Sequence, residues 1–284
     1  MEIINRRQRM ASLARKLRRE NKTIGFVPTM GALHEGHLSL VKDARQMSDI
    51  VIVSIFVNPT QFNEKEDFDK YPRDLTTDAA LLTDYHVDYI FAPDADEIYG
   101  TNFSTYVYVE NLTDSLEGAS RPGHFRGVAT IVTILFNTIR PDFAFFGQKD
   151  AQQVAVIKRL TKDLGFDTEI VTMPIIREES GLAMSSRNSR LTEVERKSAS
   201  IVYEALREAK NAVKTGERNA LKISEIVQQT IESEPLANID YIALVDNETL
   251  EPVEKISENE ILLAVAVRFG GVRLIDNTIL NRRQ

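Results

Sequence analysis

The run Ile50-Val51-Ile52-Val53-Ser54-Ile55-Phe56-Val57 limits what this chain can become more than any other stretch. It is nearly all β-branched or aromatic and lacks the polar alternation of a strand with one wet face. Such a run belongs inside a parallel sheet, with helices covering both faces. The flanking sequence repeats the theme. Strand-length apolar runs at residues 23–28, 87–92, 142–146 and 168–173 alternate with helical patterns at residues 6–20, 76–85, 127–140 and 150–164, and another follows residue 34. Alternation of this kind predicts parallel strands joined by right-handed crossovers. The expected fold is α/β, a Rossmann-like doubly wound parallel sheet over residues 1–175. Ile3 and Ile4 are assigned, with Met10, Leu13 and Leu17, to a packed N-terminal helix, and residues 63–73 to an exposed loop.

Composition shifts near residue 187. Residues 192–213 read as one long charged helix, opened by Thr192 with Glu195 completing a capping box. A helix at 221–231 and strands at 240–245, 261–268 and 272–275 follow, the last two joined at Gly270-Gly271 as a tight hairpin. Residues 176–284 are therefore expected to form a smaller α+β C-terminal domain.

Charge and composition exclude several functions. Forty-two acidic against 35 basic residues give a net charge of −7, which argues against extended nucleic-acid binding. The absence of cysteine removes disulfides, thiolate metal sites and cysteine nucleophiles together. No apolar run approaches the length of a membrane span, and the arginine-bearing N-terminus lacks the apolar core of a signal peptide. A soluble, cytoplasmic protein is the expectation.

In such folds ligands collect beyond the carboxyl ends of the strands. The segment after the first run carries Pro28, Gly31, His34 and His37 at a helix start, where backbone N–H groups and the helix dipole suit a phosphate. A histidine pair at this spacing serves structure or metal binding more often than catalysis. A zinc site would have only His86 and His124 to add, however, and an anionic ligand fits the loop better. Gly147-Gln148-Lys149-Asp150 is a second strand-to-helix turn. There Lys149 can neutralise phosphate, Asp150 can cap the helix, reach a ribose hydroxyl or hold a metal-bound water, and Gln153 follows on the same face. Met184-Ser185-Ser186-Arg187 combines hydroxyls with a guanidinium suited to phosphate oxygens, or is a solvated linker. Asn58 and Gln61 offer neutral amides for a hydroxyl or carboxylate, and Arg121 precedes a buried helix as a carboxylate ligand or part of an ordinary turn.

The motifs together are more specific than any one. The segment Pro28-Thr29-Met30-Gly31-Ala32-Leu33-His34-Glu35-Gly36-His37 resembles the His-x-Gly-His signature of the nucleotidyltransferase and class I synthetase superfamily. Asn58-Pro59-Thr60-Gln61-Phe62, Tyr71-Pro72-Arg73, Arg121-Pro122-Gly123-His124-Phe125, Phe146-Gly147-Gln148-Lys149-Asp150 and Met184-Ser185-Ser186-Arg187-Asn188 follow in order. With them the whole chain resembles the pantoate–β-alanine ligase family.

The resemblance implies an AMP-forming ligase that joins (R)-pantoate to β-alanine through a pantoyl adenylate, using ATP and Mg2+. It implies that ATP meets Met30, Gly31, Ala32, Leu33, His34, Glu35, Gly36 and His37, then Gly147, Gln148, Lys149 and Asp150, then Ile176, Met184, Ser185, Ser186 and Arg187. Gln61, Gln153 and Asn58 would hold pantoate, and Gln61 would also meet β-alanine. His37 would be the proton donor, with His34 and Lys149 catalytic beside it. Asp150 is the one candidate carboxylate for the metal. A homodimer built through the first domain is implied, as is closure of the second domain over the nucleotide. Two rivals remain: a nucleotidyltransferase that keeps the adenylyl group on its product, and an ATP-binding sensor without turnover.

Overall fold

A computed structural model describes residues 1–281. Contacts divide the described residues into two compact units, Met1–Gly147 with Val156–Met173, and Gln148–Ala155 with residues 174–281.

The first unit is built on a six-stranded, wholly parallel sheet in the order β1-β4-β3-β2-β5-β6. Its strands are β1 (Glu2–Ile4), β2 (Ile24–Thr29), β3 (Ile50–Ile55), β4 (Tyr89–Phe91), β5 (Phe143–Gly147) and β6 (Glu169–Met173). The β-branched run forms β3, with Val51, Ile52 and Val53 fully buried. Strand order reverses between β2 and β5, and at such a switch point the loops leaving the two strands diverge and open a crevice.

Two expectations fail here for physical reasons. Ile3 and Ile4 are not helical but belong to β1, whose Ile4 pairs with Phe91 and is buried while Ile3 is exposed. Three residues are too few to show a period, and the helix begins only at Arg7, burying Met10, Ala14 and Leu17. Residues 63–73 are not all loop either. Lys65–Lys70 is a short helix carrying a Glu66–Lys70 ion pair, and Phe68 stacks edge-on against Phe62 while Arg73 lies over its ring.

The second unit packs helices on an antiparallel sheet of β7 (Ala237–Asp246), β8 (Ile261–Phe269) and β9 (Val272–Leu280). Leu263, Val265, Val267 and Phe269 alternate into a core with Val202, Leu206, Ile223 and Val227. The hairpin turns at Gly270-Gly271, with Gly270 at φ +55, and Thr192 and Glu195 form the capping box. The long helix is in fact two, Glu193–Ser198 and Ile201–Lys214. The Ser200 hydroxyl donates to the Lys197 carbonyl at 2.8 Å, and the bonds around it tighten to the three-residue spacing. Such back-bonding by serine competes with the regular ladder. Among the described residues no helix is long and apolar enough to cross a membrane.

Candidate functional site

The loop between β2 and the helix Glu35–Met47 satisfies its own backbone. Gly31 N–H donates to Thr29 Oγ1 at 3.2 Å, and the amides of Ala32 and Leu33 donate to the two carboxylate oxygens of Asp78 at 3.0 and 2.8 Å. His34 N–H donates to His37 Nδ1 at 3.4 Å, and Gly36 N–H donates to His34 Nδ1 at 3.1 Å. The two histidines thus form a reciprocal capping box, their rings 4.1 Å apart. This corrects the expected cradle of loop amides, since most of those amides already have protein acceptors.

The cap also fixes the chemistry of the rings. A nitrogen that accepts a hydrogen bond carries no proton, so each neutral imidazole bears its N–H on Nε2. In that tautomer Nε2 is the donor atom of each ring.

Asp78, which sequence reasoning missed, holds the loop in shape. It is 3% exposed, and a Cβ at Gly31 (φ +81) would lie 2.7 Å from its Oδ2. Ala32 is also left-handed, at φ +51. A signal was present: Asp78 sits on the stripe of Leu75, Ala79 and Leu82, on the packed side of the helix Leu75–Thr83. Replacing Asp78 with alanine is expected to cost about 2–4 kcal/mol, because two amides bound to a charged acceptor lose it together. A thermal melt unchanged from wild type would refute that role.

After β3, Pro59–Gln61 forms a tight turn that Asn58 precedes. Buried Asn58 donates to Gln61 Oε1 at 3.0 Å and to the Gly127 carbonyl at 3.2 Å, and accepts from Thr60 Oγ1 and the Tyr99 hydroxyl. Burial pushes the Tyr99 hydroxyl up to about 12, which keeps it a neutral donor. Gln61 Nε2 reaches Met30 Sδ at 3.0 Å, and His124 Nδ1 lies 2.8 Å from the Gln61 carbonyl. The helix His124–Ile139 comes so close that a Cβ on Gly127 would meet the Thr60 carbonyl oxygen at 2.4 Å. With its polar atoms engaged by protein, Asn58 is built to orient Gln61. Beside Gln61 opens a cleft of about 420 Å³, walled in part by Asn63, His124 and Arg126, within the size range of small-molecule sites. Arg126 lies over the Tyr106 ring at 3.8 Å, and the Arg121 guanidinium contacts His124 Nε2 at 3.3 Å.

Gly147 ends β5, and Gln148–Asp150 makes a single tight turn before the helix Ala151–Asp163, which carries Gln153. Lys149 is half-buried and Asp150 exposed. Asn277 of β9, also missed, accepts from Gln148 Nε2 at 3.1 Å and donates to the carbonyls of Gln148 and Lys149, both at 2.9 Å. In the same unit Met184 N–H donates to the Ile176 carbonyl at 2.9 Å, so these two candidates are neighbours. Ser185 caps the turn Ser186–Arg190 by accepting from Arg187 N–H. Arg177 makes two bonds to Asp276, at 2.6 and 2.9 Å, and stacks on Tyr203. Among the described residues no three histidine, aspartate or glutamate side chains stand together as a metal site.

A family model described as pantoate-beta-alanine ligase matches residues 2–279. The pantothenate synthetase of Caldicellulosiruptor saccharolyticus is 52% identical over 280 residues, 99% of each chain. That of Thermotoga neapolitana is 52% identical over 280 residues, 99% of this chain and all of the relative. Among solved structures, pantothenate synthetase from Thermus thermophilus matches with a TM-score of 0.91 and 42% identity, covering 98% of this chain and 99% of that one. The pantoate-beta-alanine ligase from Francisella tularensis, complexed with beta-gamma ATP and beta-alanine, matches with a TM-score of 0.80 and 37% identity, covering 98% and 97%.

Proposed function

This chain belongs to the pantoate–β-alanine ligase family, and from that premise we propose that it condenses (R)-pantoate with β-alanine using ATP, releasing AMP and diphosphate. The pantoate carboxylate attacks the α-phosphorus and expels diphosphate, giving a pantoyl adenylate. The amine of β-alanine then attacks the acyl carbon and expels AMP. Neither step needs a covalent protein nucleophile. Both need charge stabilised on phosphate oxygens, and the observation that carries the reading is the histidine cap, which sets Nε2–H of His34 and His37 as fixed donors.

The residue roles are part of the proposal. ATP is assigned to Met30 through His37, Gly147 through Asp150, Ile176, and Met184 through Arg187. Gln61 and Gln153 are assigned to pantoate, Gln61 also to β-alanine, and Asn58 to holding Gln61. His37 is the favoured proton donor, with His34 and Lys149 stabilising the phosphates. A Mg2+ ion is assigned mainly to the nucleotide and water, with Asp150, exposed beside Lys149, as its protein carboxylate. The ion would supply charge neutralisation at the phosphates. Residues 176–284 serve as a lid that excludes water from the adenylate. The protein works in the cytoplasm as a homodimer, an assembly state that sedimentation would measure.

Isotope exchange between diphosphate and ATP tests the chemistry. Exchange is expected to require pantoate and to proceed without β-alanine. Active protein that shows no exchange would rule out a released-diphosphate adenylate. Adenylyl label retained on the final product would favour the nucleotidyltransferase instead.

A further inference from the structure

The C-terminal strand β9 buries two adjacent polar side chains, Asp276 and Asn277, at 5% and 3% exposure. Neighbouring residues on a strand point to opposite faces, so one face cannot have drawn both inward. Each has a separate target. Asp276 grips Arg177 with both carboxylate oxygens, next to Ile176. The Asn277 amide is committed wholly to the turn that carries Lys149: its nitrogen donates to the carbonyls of residues 148 and 149, and its oxygen accepts from Gln148 Nε2. A buried primary amide has few ways to satisfy both donors and its acceptor. Here one short turn does so, which ties the path of the Lys149 backbone to the strand.

We infer that Asn277 is a positioning residue for adenylyl transfer, acting through Lys149. The inference rests on the assignment of Lys149 to the phosphates. The Asn277 side chain touches backbone atoms of the turn, and its effect is to fix where the Lys149 Cα, and so the ammonium, can stand. Charge stabilisation in a preorganised site depends steeply on placement, and an error of about 1 Å can cost on the order of 10²-fold in rate. Asp276 acts in parallel on the segment beginning at Ile176, so β9 supports two of the nucleotide-binding stretches.

A double-mutant cycle on the full-length protein distinguishes positioning from simple stability. Asn277→Ala is expected to lower pantoate-dependent diphosphate–ATP exchange by roughly 10- to 100-fold per folded molecule. In a Lys149→Ala background the same change should produce little further loss, because the group it positions is gone. Asn277→Leu, nearly the same shape and uncharged but without the two donors, should behave like alanine, and it carries the test if the alanine variant does not fold. Thermal melts of each variant give the folded fraction. Equal fold-losses with and without Lys149 would overturn the inference while leaving the role of Lys149 intact. Unchanged exchange in Lys149→Ala would remove that role itself, and with it the inference.

Discussion

Lys149→Ala is expected to depress pantoate-dependent diphosphate–ATP exchange by on the order of 10²-fold, or ~3 kcal/mol of transition-state stabilisation. The size follows from what the ammonium is asked to do. As the bond to diphosphate breaks, negative charge grows on the leaving oxygens. A cation held by a short turn and partly removed from water stabilises that charge without reorganising. Lys149→Arg should recover only part of the rate, because a planar, longer fork cannot occupy the position of a compact ammonium. The loss should appear in kcat for exchange and in kcat for overall synthesis. A change confined to the KM of β-alanine would place Lys149 at the amine and sink its assignment to the phosphates.

How much of this was legible before the structure depended on how local the cause was. The β-branched run of β3 announces a buried parallel strand because burial on both faces leaves no polar phase. The Thr192–Glu195 capping box and the Gly270-Gly271 turn are likewise local statements, and the structure repeats them. The edge strand β1 was unreadable because three residues carry no period, and the break at Ser200 because a hydroxyl turned on its own helix leaves the apolar pattern intact.

The site shows the same division. Histidines, lysine and amides stand in the sequence as recognisable chemistry. What aims them, Asp78 beneath residues 32 and 33, Tyr99 on Asn58 and Asn277 on the 148–149 turn, comes from distant stretches of chain. An acid on an apolar helical stripe was visible as an anomaly. Asp276 and Asn277 were not, because the last strand was expected to end at residue 275 and β9 runs on to Leu280. The partners of all three were hidden, because pairing is a property of the fold. The expected phosphate cradle of loop amides failed for the same reason. Asp78 lay 45 residues beyond Leu33 in sequence and had already taken the donors.

His34 is expected to show the second large effect. The side chain has two separable duties: its Nδ1 caps the helix through Gly36 N–H, and its Nε2–H is set by tautomer to donate elsewhere. Asparagine is among the best N-cap residues, so His34→Asn should keep the helix end within a few tenths of a kcal/mol, whereas His34→Ala should lose about 1 kcal/mol of stability. Neither replacement can present an Nε2–H at the imidazole position, so both should cut pantoate-dependent exchange by on the order of 10²-fold. Thermal unfolding and exchange rates on the same two proteins then separate capping from catalysis. Stability restored in the asparagine variant with exchange still lost assigns the ring to the phosphates. Exchange restored together with stability would make His34 a cap alone, and would leave His37, held through its Nδ1 by the His34 amide, as the sole imidazole donor of the pair.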